Sequence, residues 1–545
     1  MVTTAWNWLW DKHDQAKELL RFFVKPNDTN IRTTNPQNTL QTRNNNGNRK
    51  RIYKPSQFSG LISGPVLFVL ILAFFSPEGL SAEGKAILAS TTWIAVWWMT
   101  EAIPIPATSL LPIVLFPLTG GLDIGTTASS YGDETIFLFM GGFMIALAME
   151  KWNLHKRLAL DIISKIGTNT NRIILGFMVA TGFLSMWISN TATAMMMVPI
   201  GLAIIYQVSE ALKGDPSIDT SKKNFRFGKA LMLGIAYSSS LGGIATLIGT
   251  PPNTILAGAI EKTYGTELSF AEWMLFGVPI AWVFIIIAWF YLVKVAYPVK
   301  LKQLPGGREV IQSQKKELGA PSFEEKAVFV VFVSAALAWI TRTFILVKIN
   351  ENITDAVIAM AAAIVLFIIP SKNRENALLD WNTAVKLPWG ILLLFGGGLA
   401  IAAGFVSSGL SEWIGSQLTA LQGVNILIVI AAVTALVIFL TEITSNTATA
   451  SMMYPIMASL AIALGIHPYS LMIAAGVAAS SAFMLPVATP PNAVVFGSGY
   501  LRIPDMARAG LALNIIGIFL VTFAIYFLLP AAWGIDLTSV PDQFR

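Results

Sequence analysis

Ser185-Met186-Trp187-Ile188-Ser189-Asn190-Thr191-Ala192-Thr193-Ala194 and, 256 positions later, Thr441-Glu442-Ile443-Thr444-Ser445-Asn446-Thr447-Ala448-Thr449-Ala450 are near copies of one stretch. Each sets hydroxyls and one carboxamide in the middle of a long apolar segment. Thr250-Pro251-Pro252-Asn253 recurs further on as Thr489-Pro490-Pro491-Asn492. A chain that twice interrupts apolar segments with the same polar cluster is most simply building one site from two halves.

Working outward, 54% of the 545 residues are hydrophobic and only 12% are charged. A soluble protein carries about twice that charge fraction, and many apolar runs here approach the roughly 20 residues that cross a bilayer. The chain reads as an all-α polytopic membrane protein. It has no cysteine, which excludes disulfides and thiol chemistry, and its three histidines are far apart. The net charge of +6 sits in loops, as expected from the excess of Lys and Arg on the cytoplasmic face. Nucleic acid is not an expected partner; the lipid bilayer is.

Residues 1–59 form a polar, basic tail, with ten Lys/Arg against four Asp/Glu and no cleavable signal pattern. The part from Trp6 to Phe23 reads either as an amphipathic surface helix or as a solvated tail. Apolar segments follow at 61–76, 85–100, 104–118 and 134–150. A basic stretch at 151–172, with Leu154, Leu158, Ile162, Ile163 and Ile166 at helical spacing, reads as a surface-lying helix.

The apolar block 173–206 decides the topology. It lies between two loops rich in Lys and Arg, and a single crossing would put those loops on opposite faces, against the charge rule. The block is too short for two full spans of about 20 residues. A re-entrant hairpin with Ser-Asn-Thr at its tip meets both constraints. Non-helical backbone at that depth survives only where protein or a water-filled cavity surrounds it.

Residues 230–262, interrupted by Gly242-Gly243 and Thr250-Pro251-Pro252-Asn253, read as a span broken in mid-membrane, since Pro removes a backbone donor and Gly is permissive. A span at 273–296 and a basic loop at 297–326 close the first half. The second half repeats the plan. Spans fall near 326–342, 355–370 and 387–406, with a surface helix at 409–423. A hairpin at 425–464, a broken span at 468–499 and a last span at 509–530 follow. Phe139-Met140-Gly141-Gly142 matches Phe395-Gly396-Gly397-Gly398 at the same offset as the hairpin tips; both glycine runs read as close helix packing. From a cytoplasmic N-terminus, the loops bring the first hairpin in from inside and the second from outside. The halves are inverted repeats, and interrupted segments at matching positions of inverted halves point to a transporter site near the midplane.

Neither tip holds Lys, Arg or His. The tips offer hydroxyls, carboxamides, freed carbonyls and freed N–H groups. Oxygen ligands without thiol or imidazole suit alkali or alkaline-earth cations, and carbonyls at half-helix C-termini can hold Na⁺. Half-helix N-termini, hydroxyls and an Asn NH₂ can hold a carboxylate. A dianion without a basic partner meets a severe desolvation cost, which co-bound cations offset. Glu442, the one acid at a tip, reads equally as a functional group or as one with a structural partner. Glu101 reads as a cap or interface residue, and His155 as interfacial. A single Ser/Thr/Asn cluster in a membrane helix is often only interhelical glue; two copies at matching tips, each with its own Thr-Pro-Pro-Asn break, favour function.

At these motifs the sequence resembles the divalent anion/sodium symporter family (INDY-like), over about residues 58–535, and most of all the sodium-dependent dicarboxylate transporters of Gram-positive bacteria. The resemblance implies about eleven transmembrane helices plus two re-entrant hairpins, a homodimer and an elevator-type motion. The corresponding division is a tail at 1–59, a scaffold at 60–172 and 324–423, a cytoplasmic linker at 297–323, and a transport domain at 173–296 and 424–545. One Na⁺ is expected on Ser185, Ser189, Asn190 and the backbone of Gly249. The other is expected on Thr441, Ser445, Asn446 and the backbone of Ala488. The dicarboxylate is expected on Asn190, Thr191, Thr250, Asn446, Thr447, Thr489 and Pro490.

The expected function is Na⁺-coupled symport of C4-dicarboxylates such as succinate, malate and fumarate. The alternatives are a Na⁺-independent dicarboxylate exchanger, or a carrier of another dianion such as sulfate or citrate. The chain is not expected to be an enzyme, having no nucleophile–base pair or metal cluster by the tips. A multi-pass protein of the cell membrane, with a cytoplasmic N-terminus and an extracellular C-terminus, completes the expectation.

Overall fold

The computed structural model describes residues 53–167, 169–212, 219–298, 307–418 and 423–544. The expected tail helix between Trp6 and Phe23 lies outside them. Among the described residues every extended element is a helix, and eight of these helices are long and apolar enough to cross a membrane. Four shorter apolar helices accompany them, Ile105–Thr119, Asp355–Ile368, Ile426–Thr441 and Pro468–Ala479.

In the first half α1 is Pro55–Phe74, α2 Ala82–Thr100, α3 Leu111–Thr119 and α4 Glu134–Lys151. The surface helix α5 is Leu154–Ile166. The hairpin consists of α6 (Thr170–Ser185) and α7 (Asn190–Ala211), and the broken span of α8 (Arg226–Gly243) and α9 (Pro251–Tyr264). The half closes with α10 (Phe270–Tyr291). A linker helix α11 (Gly307–Leu318) leads into α12 (Phe323–Thr341), α13 (Asp355–Ile368), α14 (Trp389–Ser407) and a short α15 (Leu410–Gln417). The second hairpin is α16 (Ile426–Thr441) with α17 (Asn446–Leu464). The second broken span is α18 (Pro468–Ala479) with α19 (Pro490–Gly497), and α20 (Ile503–Phe523) ends the core.

Local chemistry sets these boundaries. Ser269 and Ser322 begin α10 and α12 with reciprocal capping boxes to Glu272 and Glu325. Asp133 opens α4 by accepting from the Thr135 N–H. Glu101 ends α2 in the left-handed region (φ 47°), and its carbonyl accepts from Gln57 Nε2 at 3.0 Å, which is the capping reading. At about 1.5 Å per residue, α6 and α16 are each about 24 Å long, short of the roughly 30 Å hydrocarbon layer. Pro199 and Pro455, again 256 apart, lie inside α7 and α17. Pro costs a helix interior about 3 kcal/mol, so the matched pair is a repeat feature rather than chance.

The halves interlock. The hairpin helix α7 packs on α19 of the other half, and α9 packs on α17 and α18. Tyr454 Oη on α17 donates to Pro252 O at 2.7 Å, and Lys229 on α8 pairs with Asp505 at the start of α20 at 2.7 Å. Within the first half α6 and α8 touch backbone to backbone. A Cβ added at Gly242 would stand 2.2 Å from Gly182 O, so only glycine fits there. Around this interlocked core run α1 with α2, and α4 with α13.

The surface helix α5 buries Leu154, Ala159, Leu160 and Ile163. Its Arg157 holds Glu325 through Nε at 2.9 Å and donates to Gly319 O. His155 Nδ1 meets Met149 O at 3.0 Å, an internal contact. The linker expected as a plain loop contains α11, which docks on α5 through Lys315 and Asp161, 2.5 Å apart, with Ile311 buried.

Candidate functional site

The first hairpin turns over Met186, Trp187, Ile188 and Ser189, with α6 ending at Ser185 and α7 beginning at Asn190. Ser189 caps α7 by accepting from the Ala192 N–H at 3.2 Å. The fully buried Ser185 hydroxyl lies 2.6 Å from both the Asn190 carboxamide oxygen and Ser239 O of α8. Ser239 Oγ in turn donates to Asn190 O at 2.6 Å.

The Asn190 carboxamide therefore faces oxygens alone. With its nitrogen turned inward it donates to Ser185 Oγ (2.6 Å), Ser239 O (3.1 Å) and Gly249 O (3.2 Å). With its oxygen inward, four oxygens face one another with a single hydroxyl hydrogen between them. The first arrangement satisfies all three acceptors; the second is an oxygen cage of the kind that suits a hard cation. The break in the α8–α9 span supplies the Gly249 carbonyl, and a Cβ on Gly243 would stand 2.6 Å from Asn190 Oδ1, so glycine keeps the cage open.

The second half repeats this geometry. Thr441 Oγ1, fully buried, lies 2.7 Å from Asn446 Oδ1 and 3.0 Å from Ala479 O at the end of α18. The two breaks are laced alike. Asn253 Nδ2 donates to the carbonyls of Gly243, Ile244 and Thr246. Asn492 Nδ2 donates to those of Ala482 and Leu485. Each Asn thus ties the loose carbonyls of an interrupted helix to the start of the next, and both are fully buried.

Glu442 has a structural partner, and more than one. Its Oε1 accepts from the N–H groups of Phe483 (2.7 Å) and Met484 (2.9 Å) and from Asn514 Nδ2 (2.8 Å). Its Oε2 accepts from the Leu485 N–H at 3.1 Å. A buried carboxylate with four donors is a fully satisfied acceptor. It fixes the unwound strand of the second break beside Thr441. At the matching position the first half has Met186, and Thr246 Oγ1 donates to its carbonyl instead.

Of the thirteen residues the sequence singles out, the structure joins Ser185 with Asn190 and, with the Asn190 nitrogen inward, Gly249 O in one cluster, and Thr441 with Asn446 in the other. Ser189 serves as a cap, and Ser445 borders Asn446, half-buried. Ala488, buried, precedes Thr489 in the second break. Thr250 and Thr489 are 2% and 4% exposed, whereas Asn190, Thr191, Asn446 and Thr447 are half-buried and Pro490 is exposed. Ser185 and Thr441 are thus the deeper members of their clusters and the Asn-Thr pairs the more open ones. Helices begin at Asn190, Pro251, Asn446 and Pro490, and across the halves α7 packs on α19 and α9 on α17.

Sequence reasoning missed the carbonyls of Ser239 and Ala479 and the amide of Asn514. Backbone ligands carry no residue signature. The run Ser238-Ser239-Ser240 and the lone Asn514 in an apolar span were the available signals.

Known proteins bear on this arrangement. The family described as "Sodium:sulfate symporter transmembrane region" matches residues 56–540. A protein of Staphylococcus saprophyticus named sodium-dependent dicarboxylate transporter SdcS is 49% identical over 498 residues, covering 91% of this chain and 95% of its own. The protein of the same name from Staphylococcus aureus is 49% identical over 495 residues, covering 90% and 95%. Among solved structures, Neisseria gonorrhoeae MtrF, of a class of antimetabolite efflux pumps, superposes with a TM-score of 0.53 at 14% identity, covering 87% of this chain and 96% of its own. The Alcanivorax borkumensis YdaH transporter does so at 0.50 and 14%, covering 74% and 87%. At that identity the two structures speak to the fold alone.

Proposed function

The chain belongs to the sodium:sulfate symporter family, and on that premise we propose that it carries C4-dicarboxylates such as succinate, malate and fumarate by symport with Na⁺. The names of the staphylococcal relatives support this substrate class and this ion. The observation that carries the reading is the Asn190 cage, where the Ser185 hydroxyl and the carbonyls of Ser239 and Gly249 converge within 3.2 Å of one carboxamide.

Na⁺ ions are cargo here, one above Ser185 with Ser189, Asn190 and Gly249 O, one above Thr441 with Ser445, Asn446 and Ala488 O. The dianion lies over them, against Asn190, Thr191, Thr250, Asn446, Thr447, Thr489 and Pro490. No Lys, Arg or His occurs in either tip or either break. Charge balance therefore falls to the ions and to the helix starts, each worth about half a positive charge. Binding becomes cooperative because each ion lowers the cost of desolvating the carboxylates.

Translocation is an elevator motion. The hairpins, the broken spans, α10 and α20 (173–296 and 424–545) slide along a scaffold of α1–α5 and α12–α15 (60–172 and 324–423), in a homodimer. The N-terminus is cytoplasmic, the C-terminus is extracellular, and the chain is a carrier rather than an enzyme.

The test is succinate uptake into liposomes with Na⁺, K⁺ and proton gradients imposed separately. An inward Na⁺ gradient alone should drive accumulation and lower the apparent KM. Uptake that is equal in K⁺ would remove the coupling.

A further inference from the structure

Gly142 on α4 and Gly398 on α14 occupy matching positions of the two repeats, yet each touches a different kind of neighbour. A Cβ on Gly142 would meet the Ile248 side chain at 3.1 Å, and Ile248 belongs to the break of its own half. A Cβ on Gly398 would meet Ser451 Oγ at 2.9 Å and its Cβ at 3.0 Å, and Ser451 belongs to the hairpin of its own half. The repeat supplies each glycine with a second candidate, Met195 for Gly142 and Val487 for Gly398.

Exposure separates the four residues sharply. Ile248 is 5% exposed and Ser451 1%, whereas Val487 is 83% and Met195 53% exposed. The hairpin turns follow the same division. Trp187, 9% exposed, packs edge-on against Phe332 of α12 with ring centres 5.1 Å apart. Its repeat counterpart Ile443 is 71% exposed. The first half is thus docked by its turn and break, and the second by the first turns of its hairpin helix α17.

We propose that Gly142 and Gly398 are the bearing points of the translocation step, each trading one partner for the other as the chain changes state. In this conformation Gly142 holds Ile248 and Gly398 holds Ser451. In the opposite one Gly142 holds Met195 and Gly398 holds Val487, while Ile443 is covered and Trp187 is released. Two matched repeats make the exchange nearly symmetrical, which lets both states lie close in energy. Size permits it as well. Ile and Met differ little in volume, and Met adapts its shape. Ser and Val differ by one heavy atom. Glycine suits both points, since a Cβ at Gly398 would come within 2.9 Å of Ser451 Oγ and one at Gly142 would crowd Ile248 at 3.1 Å. Packed interfaces of this kind have two discrete arrangements rather than a continuum. The proposal rests on the elevator reading above, and it names residues outside the ion and substrate sets.

The chain has no cysteine, so introduced pairs report alone. Gly398→Cys with Ser451→Cys should form a disulfide in membranes under mild oxidation, recording the conformation described here. Gly398→Cys with Val487→Cys, and Gly142→Cys with Met195→Cys, should also cross-link, stop succinate uptake, and recover it on reduction. The exchange is overturned if neither of these two pairs cross-links under any combination of Na⁺ and succinate while the first pair does. Should a glycine variant fail to insert, single cysteines at 195, 248, 451 and 487 give the readout. Maleimide labelling of 195 and 487 should fall together as that of 248 and 451 rises when Na⁺ and succinate are added or withdrawn, or the reverse. Movement of 195 and 487 in opposite senses, or no change at any of the four, overturns the exchange. Failure of the wild-type chain to take up succinate would instead sink the transport reading and is scored separately.

Discussion

Replacing Glu442 by Gln keeps the shape of the side chain but removes its charge and one acceptor. Oε1 can retain Phe483, Met484 and Asn514, but an NH₂ group then faces the Leu485 N–H, which now lies 3.1 Å from Oε2. A hydrogen bond to a charged group contributes about 1.5–3 kcal/mol, and two buried donors face to face leave one unsatisfied. Since 1.4 kcal/mol is a factor of ten, the second break should open roughly 10–150-fold more often in Glu442→Gln. Hydrogen exchange read by mass spectrometry reports this directly. Peptides over Phe483–Leu485 should lose protection by one to two decades, while those over Ile244–Thr246, whose first-half counterpart of Glu442 is Met186, should not change. Glu442→Ala strips all four bonds and should lose more. Unchanged exchange at Phe483–Leu485 in Glu442→Gln would show that the carboxylate does not hold the break.

Three further outcomes are expected. Asn190→Ala and Asn446→Ala should each abolish Na⁺-driven succinate uptake while the protein still inserts; full uptake in either would remove that half from the site. Gly242→Ala places a methyl group on Gly182 backbone, where no side chain can yield, so the protein should lose folded yield or thermal stability by several degrees, and a variant as stable as wild type would contradict the close approach of α6 and α8. His467, in the turn before α18, accepts from the Tyr469 N–H through Nδ1 at 3.2 Å, and burial holds its pKa down to about 4. The folded state therefore needs the neutral ring. Its contribution is complete above about pH 6.5, the unfolded value, and is lost as pH falls towards 4; thermal melts across that window should show less acid loss in His467→Gln.

The hairpins and breaks were legible because they violate composition in a patterned way. Asn190, Asn446, Asn253 and Asn492 sit where apolar residues are expected, and they sit there twice. The first hairpin followed from where Lys213, Lys222 and Lys151 fall, a charge argument that needs no coordinates. What the sequence withheld has physical causes. The carbonyls of Ser239 and Ala479 belong to the backbone and leave no residue signature. Glu442 was ambiguous because one intramembrane acid can serve an ion or a helix break; only its four donors decide. The helix α11 escaped because its polar run Gln312–Glu317 reads as linker until α5 appears beneath it. The unequal covering of Trp187 and Ile443 belongs to one conformation, whereas a repeat in sequence is blind to state.

The proposal that the two tips form one site is tested most directly by the equilibrium binding of succinate to the purified protein, measured calorimetrically across a Na⁺ series at constant ionic strength. Two cation cages beneath one dianion predict no measurable binding in K⁺ and an affinity that rises with Na⁺ at a logarithmic slope approaching two at low concentration. Succinate binding with the same Kd in K⁺ as in Na⁺ would contradict it.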